Sequence, residues 1–125
     1  MKPILTKIAA ILAFIIGVMA IFAGGQTLLG KDPGYYVINW LLLYNYTIGV
    51  LTVSITASLI WTSHKASMLA GIGTFGLHAL VMLVLQTAYR QVVAPDSLRA
   101  MLVRLVVWTI ILGLMLIQRR KNKLV

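Results

Sequence analysis

The chain has two carboxylate side chains, Asp32 and Asp96, and both fall between long apolar runs, never inside one. Four such runs fill most of its 125 residues. A water-soluble domain draws on about 25% charged residues to cover its surface. Here charged residues make up 10% against 61% hydrophobic ones, and the mean hydropathy is +0.98. Too few polar side chains exist to coat a water-facing surface, so the sequence predicts an integral membrane protein of a single domain, 1–125. With no cysteine, disulfide scaffolds and Cys-ligated zinc, haem or iron–sulfur sites are excluded.

The runs read as membrane helices at about 8–24, 36–61, 67–89 and 98–118. Small residues recur in the first at Ala10, Ala13, Gly17, Ala20 and Gly24. Their spacing of three and four puts them on one helical face. In lipid, where no hydrophobic effect drives helices together, such a stripe lets a neighbour approach closely. A cleaved signal peptide has no need of it, so the run is read as a span. Gly24-Gly25-Gln26 reads as the break that ends this helix. Tyr35, Tyr36 and Trp40 read as an interfacial belt, and Pro95-Asp96-Ser97 as a turn and helix N-cap.

The net charge of +9 does not point to nucleic acid, because the basic residues flank the apolar runs. Four spans put both termini on one side. That side holds Lys2, Lys7, Lys65, Arg119, Arg120, Lys121 and Lys123. The other holds Lys31, Arg90 and Arg99 with both acids. The positive-inside rule then puts both termini in the cytoplasm. The fold expected is an all-α, four-helix transmembrane bundle in a bacterial cytoplasmic (inner) membrane.

Polar groups inside a span are costly and therefore informative. Arg104 lies about two turns into the fourth run, and a central Arg costs roughly 2.5–3.5 kcal/mol on insertion scales. It can snorkel outward to phosphate or to Asp96 or Asp32, bond Asn45, Gln86 or a backbone carbonyl, or hold an anionic ligand or partner group. Trp108, one turn deeper on the same face, offers a ring for stacking. In the second run Asn45, Gly49, Thr52 and Thr56 form one stripe, and Thr47, Ser54, Ser58 and Trp61 a second. These serve either helix contacts or a path lining. His78 sits near the middle of the third run, as a packing residue, a proton relay or a ligand. It is fourteen residues from His64, about 21 Å along a helix, so the two cannot share one haem. Arg104, Trp108, Asn45, His78 and Gln86 are the candidate ligand-binding residues. Ala13, Gly17, Ala20 and Gly24 are the candidate packing residues. No catalytic residue, metal site or cofactor is expected.

Several chemistries lack their parts. Paired carboxylates are missing from the spans, and no Ser–His–Asp set is visible. Asn45-Tyr46-Thr47 matches a glycosylation triplet only by coincidence at membrane depth. Gly71-x-Gly73-x-x-Gly76 lies in an apolar helix with no preceding strand, so it is a close-contact surface and not a phosphate loop.

Residues 17–25, the first span with its Gly-Gly exit, resemble the opening of DoxX-like membrane proteins. That resemblance implies a four-helical protein linked to quinone or redox membrane complexes. The segment Asp32-Pro33-Gly34-Tyr35-Tyr36-Val37-Ile38-Asn39-Trp40, with Tyr44-Asn45 after it, is similar to a signature of small uncharacterised bacterial four-span membrane proteins. Small multidrug exporters have similar length but keep a first-span Glu that is missing here. Fluoride channels are echoed by Gly73-Thr74-Phe75-Gly76, but the one-sided charge speaks against their dual topology. The sequence thus predicts a non-enzymatic accessory or ligand-binding subunit, in a homo-oligomer or a larger membrane complex. The alternatives are an oligomeric transporter or channel for a small solute or anion, and a redox-linked subunit touching quinone.

Overall fold

A computed structural model of the chain describes residues 4–30, 38–93 and 95–124, with side chains as far as 120. Among the described residues there are four helices long and apolar enough to cross a membrane. They are α1 (Ile4–Leu28), α2 (Asn39–Trp61), α3 (Ser67–Thr87) and α4 (Pro95–Leu124). At 1.5 Å per residue each matches or exceeds the ~30 Å hydrocarbon core.

Two helix ends differ from the expectation. Gly24-Gly25-Gln26 does not stop α1, which continues to Leu28. Gly24 is a contact residue, not a breaker: a Cβ there would lie 2.8 Å from the Leu42 carbonyl oxygen. Nor is Pro95-Asp96-Ser97 a turn with a cap, since α4 already starts at Pro95. Proline suits a first helical position, where its missing N–H costs no bond. The belt residues Tyr35 and Tyr36 lie outside the described residues. Trp40 is described and packs against Tyr89, ring centroids 5.6 Å apart.

Inside α2, Thr52–Thr56 forms a π-helical turn. Side-chain hydroxyls bond back to the preceding turn, Thr52 to the Ile48 carbonyl and Ser54 to the Val50 carbonyl, both at 2.6 Å. The reversal between α2 and α3 is tight. The Ser63 N–H bonds the Ile60 carbonyl and the His64 N–H the Leu59 carbonyl, with Ser63 at a φ of 53°. Nδ1 of His64 then accepts the Ala66 N–H at 3.0 Å.

The helices run alternately up and down. α1 packs on α2 and α4, and α3 packs on α4 and on the second half of α2. The Leu5 N–H donates to Oε1 of Gln118 at 3.1 Å, so α1 begins beside the segment where α4 leaves the bundle. This end also carries the α2–α3 turn, because Lys7 donates to the Trp61 carbonyl at 2.9 Å. It is called the near end below, and the opposite one the far end.

Two apolar clusters fill the interior. One, toward the near end, holds Ala9, Ala13, Ile16, Ile60, Trp108 and Ile111 among others. The far cluster is Ile38, Leu41, Val81, Leu85 and Met101. Large apolar side chains such as Phe14, Phe22, Leu69, Leu80 and Ile110 point outward and are exposed. An apolar exterior around an apolar interior is what a bilayer solvent permits and water does not.

Candidate functional site

Between the two apolar clusters lies a layer of polar side chains from three helices. α4 contributes Arg104, nine residues after Pro95 and so about 14 Å along the helix. Its side chain is 4% exposed, and Nη1 donates to Oδ1 of Asn45 on α2. The guanidinium is thus held inside the bundle by a partner on the facing helix. Burying a charge in apolar surroundings is expensive unless hydrogen bonds satisfy it. A carboxamide oxygen is a good acceptor that brings no second charge.

One turn away the layer continues through rings. Tyr44 Oη and His78 Nδ1 are hydrogen-bonded at 2.7 Å, with their rings edge to face at 5.8 Å. His78, 2% exposed, is also 6.5 Å from the Trp108 ring, centroid to centroid. Trp108 is fully buried, and its Nε1–H has no acceptor among the described residues. Buried donors are nearly always paired, so this one is an exception within the layer. Gly71 makes room for the indole: a Cβ there would lie 3.8 Å from the Trp108 ring and 3.1 Å from Leu112. Lower in the bundle the Thr56 and Thr74 hydroxyls lie 3.5 Å apart.

A cavity of about 40 Å³ reaches Arg104 from the far end, lined by Ala23, Thr27, Leu41, Asn45, Ser97 and Arg104 among others. One water needs about 10–15 Å³ of such space, so the cavity admits a group of a few atoms.

Of the five sequence candidates, Arg104, Asn45, His78 and Trp108 fall in this one layer. Gln86 does not: it is exposed on the outer side of α3. The ring beside Trp108 is that of His78, and the cation set over an indole is Lys7, 4.1 Å from the Trp61 ring. The packing candidates Ala13, Gly17, Ala20 and Gly24 are all buried. Gly17 and Gly24 abut α2 directly, within 3.2 Å of where a Cβ would sit. In α2 the stripe Gly49, Thr52 and Thr56 is buried and Asn45 half-buried, while Thr47, Ser54, Ser58 and Trp61 are exposed. In the Gly71-x-Gly73-x-x-Gly76 pattern only Gly71 meets another helix; Gly73 and Gly76 face open space.

Tyr44 belongs to the layer and was not among the candidates. The signal for it was its depth, matched to His78, and its place next to Asn45. Gln118 is a second omission: it is 3% exposed and ties α4 to the start of α1. No cluster of three or more His, Cys, Asp or Glu able to hold a metal occurs among the described residues. No family model, curated protein or solved structure matches the chain.

Proposed function

We propose that this chain is a non-enzymatic, ligand-binding subunit of a membrane assembly. Its Arg104–Asn45 pair receives one small anionic group, of carboxylate size, entering from the far end. The observation that carries the reading is a buried guanidinium, hydrogen-bonded to Asn45, at the floor of a small cavity that opens toward the far end. Arginine presents a planar fork of donors that fits a carboxylate or phosphate edge. The charge distribution along the sequence supports a far end outside a bacterial inner membrane, with both termini in the cytoplasm.

The test is thermal unfolding of the purified protein in mild detergent, titrated with acetate at constant ionic strength. Saturable stabilisation that is lost in Arg104→Gln and weakened in Arg104→Lys supports the proposal. Equal stabilisation by chloride, or an unchanged acetate response in Arg104→Gln, would remove it. Reporter fusions after Val125 and beside Lys65 should be active on the cytoplasmic side, and fusions beside Asp96 should not.

A further inference from the structure

The near end carries a second, larger cleft, independent of the Arg104 layer. It measures about 430 Å³ and lies between the start of α1, the α2–α3 turn and the end of the membrane-spanning part of α4. Thr6, His64, Lys65, Ser67, Gln118 and Arg119 contribute its polar lining, and Met68 and Met115 its apolar part. The volume falls in the ~300–1,000 Å³ range of ligand sites.

The sides of the cleft differ. Thr6 and Gln118 are buried, and the bond from the Leu5 N–H to Gln118 closes the back between α1 and α4. His64, Lys65 and Arg119 are exposed at the mouth. The turn bonds at Ser63 and His64 fix where Lys65 starts. His64 uses Nδ1 to accept the Ala66 N–H, so in the neutral ring the N–H is on Nε2, free to donate. Lys7 is turned to the Trp61 carbonyl and ring; the cations of the cleft are Lys65 and Arg119.

Two cations beside a low-dielectric wall focus a positive potential into the space between them. By sequence position this end holds seven basic residues and neither acid, so the protein itself brings little to neutralise them. The cleft also sits where the helices pass from apolar to basic sequence, the level of lipid headgroups. Basic pockets between membrane helices on the cytoplasmic side suit lipid phosphates.

We propose that this cleft binds a phosphate-bearing anionic group, supplied by the headgroup of an anionic phospholipid. The phosphate oxygens meet Lys65 and Arg119, the His64 Nε2–H and the Ser67 hydroxyl add neutral donors, and Met68 and Met115 face the glycerol backbone.

The test uses the purified full chain in detergent, with thermal unfolding followed against added phosphatidylglycerol, phosphatidylcholine or inorganic phosphate. Phosphatidylglycerol should stabilise saturably and phosphatidylcholine should not. Lys65→Gln with Arg119→Gln should weaken the apparent phosphatidylglycerol affinity by roughly tenfold or more, on the scale expected for two interfacial cations. Lys65→Arg with Arg119→Lys should keep it. Arg120→Gln, a change outside the cleft lining, should also keep it, which separates the cleft from general attraction to a basic end. Inorganic phosphate as effective as the lipid would identify a free-phosphate site and overturn the lipid assignment. Equal responses to both lipids would overturn the site altogether, as would a double Gln variant with unaltered phosphatidylglycerol affinity.

Discussion

The two sides of α2 are held by different forces. Its seam with α1 is backbone against backbone. A Cβ on Gly49 would lie 2.8 Å from both the Gly17 carbonyl oxygen and the Ile21 nitrogen, and one on Gly24 would lie 2.8 Å from the Tyr46 nitrogen. The side toward α3 and α4 is instead bridged by side chains: Tyr44 to His78, Asn45 to Arg104, Thr56 to Thr74. Lipid tails are as apolar as leucine, so burial alone draws no two helices together. What remains is close van der Waals packing, or hydrogen bonds between groups that lipid cannot satisfy. The first gives contact without chemistry. The second leaves ionisable and polar groups inside the bundle, where a ligand can use them. The candidate site therefore belongs to the bridged side, and the glycine seam is the rigid wall against which it is built.

The largest effects should come from the seam. Gly49→Ala places a methyl group against backbone atoms that cannot rotate away, so α1 and α2 must separate. The cost should be about 1–3 kcal/mol, as for overpacking generally, and Gly49→Leu should prevent a stable bundle. Gly73→Ala and Gly76→Ala are the controls, because nothing lies within 4 Å of a Cβ at either. They should be neutral, or stabilising by up to about 1 kcal/mol through helix propensity. Unfolding of the four variants in mixed micelles checks this; similar losses in all of them would show that the seam is no tighter than the surface.

The Arg104–Asn45 bridge should cost less to break. Arg104→Leu and Asn45→Leu should each destabilise by about 1–2 kcal/mol, toward the upper end for hydrogen bonds between membrane helices. The double variant should cost clearly less than the sum, because each single change already removes the bond the two side chains share. Strict additivity in that cycle would mean the two side chains act separately. Membrane insertion of Arg104→Leu should meanwhile improve, since the cation's transfer cost disappears.

The four spans were legible because apolar length is a one-dimensional property, and the sequence states it directly. Helix ends were less so. Gly24-Gly25 carries the composition of a break, but a glycine pressed against a neighbouring helix looks the same in sequence as one in a turn. The depth of Arg104, Asn45 and His78 was readable from their positions along each run. Their convergence was not, because direction depends on how each helix is rotated against its neighbours. Gln86 shows the consequence: it lies near the depth of Tyr89, which follows the end of α3, but it points outward. The π-turn at Thr52–Thr56 has no sequence mark that separates it from ordinary helix, and it alters the rotation of everything after it.

Within the bridged side, the Tyr44–His78 contact should contribute less than the charged bridge. Tyr44→Phe keeps the ring and its edge-to-face packing and removes only the hydroxyl. A loss of about 0.6 kcal/mol is the average for such bonds in membrane proteins. His78→Leu removes both bond and ring contact with Trp108, so it should cost more than Tyr44→Phe. If Tyr44→Phe were as harmful as His78→Leu, the hydroxyl rather than ring packing would hold this part of the layer.

The smallest effect should be at Gln86. It has the composition of a bridging residue, yet its side chain is exposed on α3, where in a bilayer it faces lipid. A carboxamide there satisfies no interhelical bond, and replacing it with an apolar group lowers the cost of placing α3 in the membrane. Gln86→Leu should therefore leave unfolding stability within about 0.5 kcal/mol, the range for substitutions remote from packed features, and should leave acetate stabilisation at Arg104 intact. Measuring stability at several protein-to-detergent ratios makes the variant informative in the other direction too. A loss that appears only at high protein-to-detergent ratio would show that Gln86 bonds a second copy or another subunit. Hydrogen bonding would then operate on the outer surface of α3 as well as between the helices of one chain, and the division between a packed seam and a bridged side would no longer describe the whole assembly.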